Sequence, residues 1–443
     1  MGLLLFIIFF AIFVLINASS ICFKEKKVLF YSPLYFFSLA WCLSLLIYQF
    51  GDDFLRGRTI ISMAVFYFSF CIPAFIFLMK AGTSLTIRQL IEPLKMEGFE
   101  YRRLVLLLIG LQLLSVCIAL TYLYYAISFS GFSFSDLLDQ PGSLATVRGI
   151  LANEDYNVPL ILKLTSQVKY VNYFAPIIIT TISVYSLLSR KYIGVSIALA
   201  ILYSICFLER SGIIRTILVF GVFYSLYFVN NRKKLLQLIA SGMILVVIAT
   251  VTVPYLRGQA DEGGGNLYDY VVGGLGGLDA FISGYNGEIS ILETQQIYIT
   301  EAGFQFGDAP VGFETMTELY RICNALFQCG FEIPNNKEYI YSPIMTNIYT
   351  AIRAFYQDYG AFGAPLIIAV IGIFVSWRYL LNIQRGGIWT AYFNSYLAYL
   401  ATFSVLTYNF SLREIILVWM IMTILSFIFR SRPLFFGYEP RNM

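Results

Sequence analysis

Arginine is the residue of this chain best placed to do chemistry, and histidine is absent altogether. Glu209 and Arg210, with Arg215 one turn further on, sit between two apolar runs that leave almost no loop to hold them. Arg257 stands where the apolar run 235–256 ends, and Arg353 lies on the polar side of the segment 343–360. A guanidinium presents a planar fork of donors that matches phosphate oxygens two at a time, so such a set fits an anionic, phosphate-bearing ligand. With no histidine, the commonest general base and the commonest metal ligand are both missing. Proton transfer then falls to Asp, Glu, Tyr or Lys, or to the substrate, and Asp358 and Glu209 are the candidate bases.

Each of these positions has a plainer reading. Charges at the end of a membrane helix commonly snorkel to the interface, and Glu209, Arg210 and Arg215 could form such a turn. Arg413 and Glu414, in the last hairpin, most simply do the same. The segment 343–360 reads as an amphipathic helix beginning after Pro343. Ile344, Ile348, Ile352, Phe355 and Tyr359 recur on one side; Thr346, Thr350, Arg353 and Gln357 recur on the other. Its polar stripe either meets water or forms the wall of a site. Asp52 and Asp53 are a solvated turn or, less simply, a metal-holding pair, and no metal site is assigned. Cys323 and Cys329 fall in the long polar segment, where an oxidising face would permit a disulfide between them. Gly263 to Gly265 and the run Gly273 to Gly277 are flexible turns or close-packing sites; without a following Lys-Ser/Thr pair they are not phosphate loops.

The elements that carry these residues follow from composition. The chain is 58% hydrophobic and 13% charged, about half the charged fraction of soluble domains. An all-α, polytopic helical membrane protein is predicted, with about eleven spans near 2–20, 28–50, 59–79, 104–127, 170–188, 192–208, 213–229, 235–256, 361–381, 389–409 and 413–429. Basic residues concentrate in alternate loops, such as Lys24 to Lys27 and Arg232 to Lys234, which assigns those loops to the cytoplasm. The N-terminus then lies outside and the C-terminus inside. The organisation expected is an N-terminal block of about eight spans over 1–256 with an outer loop at 128–169, then a large outer segment at 257–342. An amphipathic outer helix and about three further spans over 343–443 complete it. A bilayer cannot satisfy loose backbone polar groups, so 257–342 is expected outside the hydrocarbon. The aromatics fall inside apolar runs, not among basic tracts, which excludes a nucleic-acid partner.

Three stretches resemble the Wzy-type O-antigen and oligosaccharide repeat-unit polymerases. They are Glu209-Arg210-Ser211-Gly212 entering a span, Tyr255-Leu256-Arg257-Gly258 opening the large outer segment, and Thr346-Asn347-Ile348-Tyr349-Thr350 followed by Arg353, Asp358 and Gly360. The resemblance implies a GT-C-like membrane glycosyltransferase without cofactor, working on the periplasmic face of a bacterial inner membrane. Its substrates would be undecaprenyl-pyrophosphate-linked glycans, with a chain-length regulator and a flippase as companions. Arg210, Arg257 and Arg353 would hold the diphosphate, with Arg215 in reserve. Tyr341, Asn347 and Tyr349 would bind sugar, and the stretch from Glu314 to Phe327 would act as a lid. An O-antigen ligase of the same architecture and a lipid-linked oligosaccharide flippase are the rival readings.

Overall fold

In the computed structural model, the residues described are 2–50, 55–88, 98–132, 166–185, 188–207, 210–229, 267–283, 289–290, 315–330, 339–341, 345–346, 350–406, 412–429 and 432–436, with isolated positions in 147–151 and 233–244. The longer helices are α1 (Gly2–Ala18), α2 (Pro33–Tyr48), α3 (Gly57–Ala81), α4 (Gly98–Ser130), α5 (Val171–Tyr185) and α6 (Lys191–Cys206). They continue with α7 (Arg210–Phe228), α8 (Leu267–Ser283), α9 (Thr317–Phe327), α10 (Ala351–Arg385), α11 (Ile388–Phe403) and α12 (Leu412–Ile428).

Among the described residues, five stretches are long and apolar enough to cross a membrane: Gly2–Cys22, Gly57–Ala81, Glu100–Ser130, Ser211–Phe228 and Ala351–Arg385. Shorter apolar helices occur at Pro33–Tyr48, Lys191–Cys206, Val271–Ile282 and Glu414–Ile428. The protein is therefore a helical membrane protein. On α10, Phe362, Leu366, Val370 and Phe374 are all exposed. Their spacing of four places them in one row along the helix, the kind of ridge that lipid covers.

The chain divides into two compact units, each assembled from separated stretches of sequence. The first contains residues 1–86, 267–381 and 397–413. Here α1, α2 and α3 pack together, and Trp41, Tyr67 and Phe9 are fully buried between them. The Ser32 hydroxyl caps α2 by accepting the Tyr35 N–H, with Pro33 at the first helical position, where its missing donor costs nothing. Gly372 of α10 lets that helix lie against α3: a β-carbon there would stand 2.8 Å from the carbonyl oxygen of Phe70.

The segment read as one polar outer stretch contains a helix of another kind. α8 is buried at every residue from Val271 to Ile282 and packs on α2 and α3. Its glycines lower the apparent hydropathy of the sequence. A small antiparallel sheet, β1 (Ile289–Ser290), β2 (Tyr339–Tyr341) and β3 (Met345–Thr346), also belongs to this unit, with Ile340 opposite both Ile289 and Thr346.

The second unit contains residues 87–266, 382–396 and 414–443. Helices α4, α5 and α6 are joined by a buried amide–hydroxyl network. Gln112 donates to the Ser196 carbonyl at 3.0 Å and accepts from the Ser196 hydroxyl at 2.8 Å. Asn172 donates to Ser115 at 2.7 Å. Lipid tails give apolar helices no reason to prefer one another over lipid, so polar groups of this kind fix which helices pair.

Candidate functional site

The helix predicted over 343–360 begins later than its periodicity implies. Met345 and Thr346 form a strand, and α10 starts at Ala351, whose N–H donates to the Ser404 carbonyl at 2.8 Å. Thr346 is β-branched and suits the strand that it forms with Met345. At Gly360 the backbone leaves helical geometry (φ 67°, ψ −178°), a left-handed value that glycine adopts without a side-chain clash. Residues 351–359 are thus a short helix set at an angle to the span that follows.

This short helix does not turn its polar stripe to water. Thr350, Arg353 and Gln357, at spacings of three and four, share one face. Arg353 is only 6% exposed, and its guanidinium carbon lies 5.2 Å from the centre of the Phe281 ring on α8. At that distance the ring face attracts a cation. Among the described residues, the Thr350 hydroxyl and the Gln357 carbonyl oxygen are buried without a hydrogen-bond partner. A buried polar atom left unsatisfied costs about 1–3 kcal/mol, so two on one stripe mark a place where a polar ligand would be welcome.

Asp358, on the same helix, already has partners. Its carboxylate accepts the Thr315 N–H and hydroxyl, both at 2.6 Å, and the Thr315 and Tyr359 hydroxyls lie 2.9 Å apart. One carboxylate oxygen, Oδ2, takes both bonds, which ties this helix to the residues leading into α9. Phe355 stacks near Phe66 and Tyr359 on the other side. A second acid makes a comparable tie: Asp279 of α8 accepts the Arg56 N–H at 2.9 Å and the Thr59 hydroxyl. It caps the start of α3 from another helix, where the unpaired N–H groups and the helix dipole favour a negative charge.

In the second unit, Arg215 on α7 is ion-paired with Glu414 on α12. Its guanidinium carbon lies 3.9 Å from the Tyr173 ring centre and 5.2 Å from that of Tyr396. Glu414 also accepts the Tyr392 hydroxyl and is only 2% exposed. The expectation that Glu414 snorkels therefore fails: the acid points into the helices, where Arg215 neutralises it.

No family model matches the chain, and no curated protein or solved structure does either.

Of the residues singled out in the sequence, the structure places the side chains of Arg353 and Asp358 together on one short helix, and that of Arg215 in its own buried cluster. Arg210 opens α7 and Tyr341 ends β2, by backbone position. Glu209, Arg257, Asn347 and Tyr349, together with Asp52, Asp53 and most of the span expected at 235–256, lie outside the described residues. Cys323 and Cys329 are joined in a disulfide, with their α-carbons 5.7 Å apart. Among the described residues, no three His, Cys, Asp or Glu side chains are grouped to hold a metal ion.

Proposed function

We propose that this protein polymerises undecaprenyl-pyrophosphate-linked oligosaccharide repeat units into O-antigen or capsular polysaccharide on the periplasmic face of a bacterial inner membrane. The observation that carries the reading is the stripe Thr350–Arg353–Gln357, buried at Thr350 and Arg353 and half-buried at Gln357, two of whose polar atoms have no partner among the described residues. It falls in the stretch that most resembles the repeat-unit polymerases. A cation, a hydroxyl and an amide on one dry helix face suit a phosphate next to a sugar.

In the reaction, a hydroxyl of the acceptor's terminal sugar bonds to the anomeric carbon of the donor's first sugar. The bond from that carbon to the diphosphate oxygen breaks, undecaprenyl pyrophosphate leaves, and the hydroxyl proton passes to a base. Charge grows on the departing oxygen, so a guanidinium fixed there in a site poor in water helps the transition state more than the ground state. Arg353 fills that role. Since Asp358 is bonded to Thr315, a group on the substrate is the freer proton acceptor. An eleven-span, GT-C-like arrangement with its N-terminus outside belongs to the same proposal. The disulfide supports the orientation, since such bonds persist on the oxidising side of a membrane.

Deleting the gene and resolving surface polysaccharide on a gel tests it. Core capped with a single repeat unit is the expected result. Uncapped core with polymer left on the carrier would mean a ligase, and repeat units held on the cytoplasmic leaflet a flippase.

A further inference from the structure

We infer that α9 lies in the headgroup layer of the bilayer, as an amphipathic helix with its apolar side down among the lipids. Two independent features lead there. The first is its exposed face. Met316, Leu319, Ile322 and Phe327 are all exposed, Phe327 at 75%, and they fall on one side of the helix with Cys323. Thr317 and Asn324 fall on the opposite side. A helix in a water-exposed loop gains its stability by burying such a face, and one lying on a membrane buries it in lipid.

The second feature is where the helix is fastened. Thr315, two residues before α9, is hydrogen-bonded to Asp358 and adjoins Tyr359. Three residues beyond Tyr359 begins the lipid-facing row of α10, headed by Phe362 at 92% exposure. The N-terminal end of α9 is therefore held near the head of the exposed apolar row of α10. At the other end, the chain turns through Gln328 in a left-handed conformation, and the Cys323–Cys329 disulfide closes that turn on the last stretch of the helix. The first end is thus tied to the Asp358 helix, and the disulfide stiffens the second against unwinding. The inference requires the membrane location but not the polymerase reading.

The test uses the full chain in nanodiscs of phosphatidylethanolamine and phosphatidylglycerol. The photo-crosslinking residue p-benzoylphenylalanine is placed singly at Leu319, Phe327, Thr317 or Asn324, with Phe362, the exposed head of the apolar row on α10, as the control. Phospholipid adducts at Leu319 and Phe327, and their loss at Thr317 and Asn324, are expected. Crosslinks from Leu319 and Phe327 to another part of the chain or to a second copy would overturn the inference. So would silence at both while Phe362 gives adducts. A phospholipid carrying a diazirine at its headgroup end applies the same test to the unaltered chain. Label on peptides covering 317–327 is expected, and unlabelled peptides would refute the placement.

Discussion

The carboxylate of Glu414 faces the guanidinium of Arg215 inside the helices of the second unit, with Tyr173 and Tyr396 against the guanidinium and the Tyr392 hydroxyl on the acid. Three helices besides α7 thus meet on one arginine. A pair so dry is held by its own symmetry of charge. Removing either partner leaves the other charged and desolvated, at a cost of about 3–5 kcal/mol, whereas replacing both with apolar groups often costs nothing. Glu414→Gln and Arg215→Met should each lower the melting temperature of the detergent-purified protein, while the double substitution Arg215→Met with Glu414→Leu recovers most of the loss. A double variant less stable than either single one would show that the pair is not the interaction at stake.

Arg353 and Thr350 offer a sharper test of the proposed chemistry. Lysine keeps the charge of Arg353 but not its planar fork, and loss of one such donor at a reacting centre commonly costs on the order of a hundredfold in rate. Arg353→Lys should therefore abolish most chain extension, read as collapse of the polysaccharide ladder, with the protein still present in the membrane. Thr350→Val removes only a hydroxyl that has no partner among the described residues. It should keep or raise stability and still shorten the ladder. Normal banding in both variants would count against a ligand on this stripe.

How far the sequence revealed these arrangements depended on the kind of force involved. Apolar length is local, and the helices at Gly2–Ala18, Gly57–Ala81 and Gly98–Ser130 are plain from it. The polar stripe through Arg353 was legible too, since helical spacing places Thr350, Arg353 and Gln357 on one face. The burial of that stripe was not legible, because it depends on α8, whose run of glycines reads as a loop until neighbouring helices are seen to pack on it. Ties between distant residues leave the least trace. Nothing near Asp358 points to Thr315, and nothing near Arg215 points to Glu414.

Asp358 is a candidate base by sequence, and its bonds to Thr315 give it a different contribution that can be separated by experiment. If its task is to hold the start of α9, Thr315→Val, which removes the hydroxyl bond and leaves the backbone N–H bond, should reproduce part of the defect of Asp358→Asn, which weakens both. Limited proteolysis near residues 315–330 should speed up in both. A base role predicts instead that Asp358→Asn stops polymerisation while Thr315→Val leaves it near normal and protease resistance is unchanged in both.

Gly372 and Gly110 are both glycines within helices that lie in long apolar stretches, yet opposite outcomes are expected from the same substitution. A β-carbon at Gly372 would sit 2.8 Å from the Phe70 carbonyl oxygen, an approach that side chains do not tolerate without a backbone shift. That oxygen belongs to a helix and cannot rotate away, so α10 must move off α3, and overpacking of this kind costs about 1–3 kcal/mol. At Gly110 of α4 nothing lies within 4 Å of the added carbon, so alanine there relieves a poor helix former. The gain should be up to about 1 kcal/mol. Gly372→Ala should thus lower the melting temperature and Gly110→Ala hold or raise it. Equal responses would mean that close approach at Gly372 is not what joins these two helices. The contrast also bears on the site, since α10 carries the Arg353 helix at its head: a variant that displaces the span should weaken the ladder even though it touches no residue of the stripe.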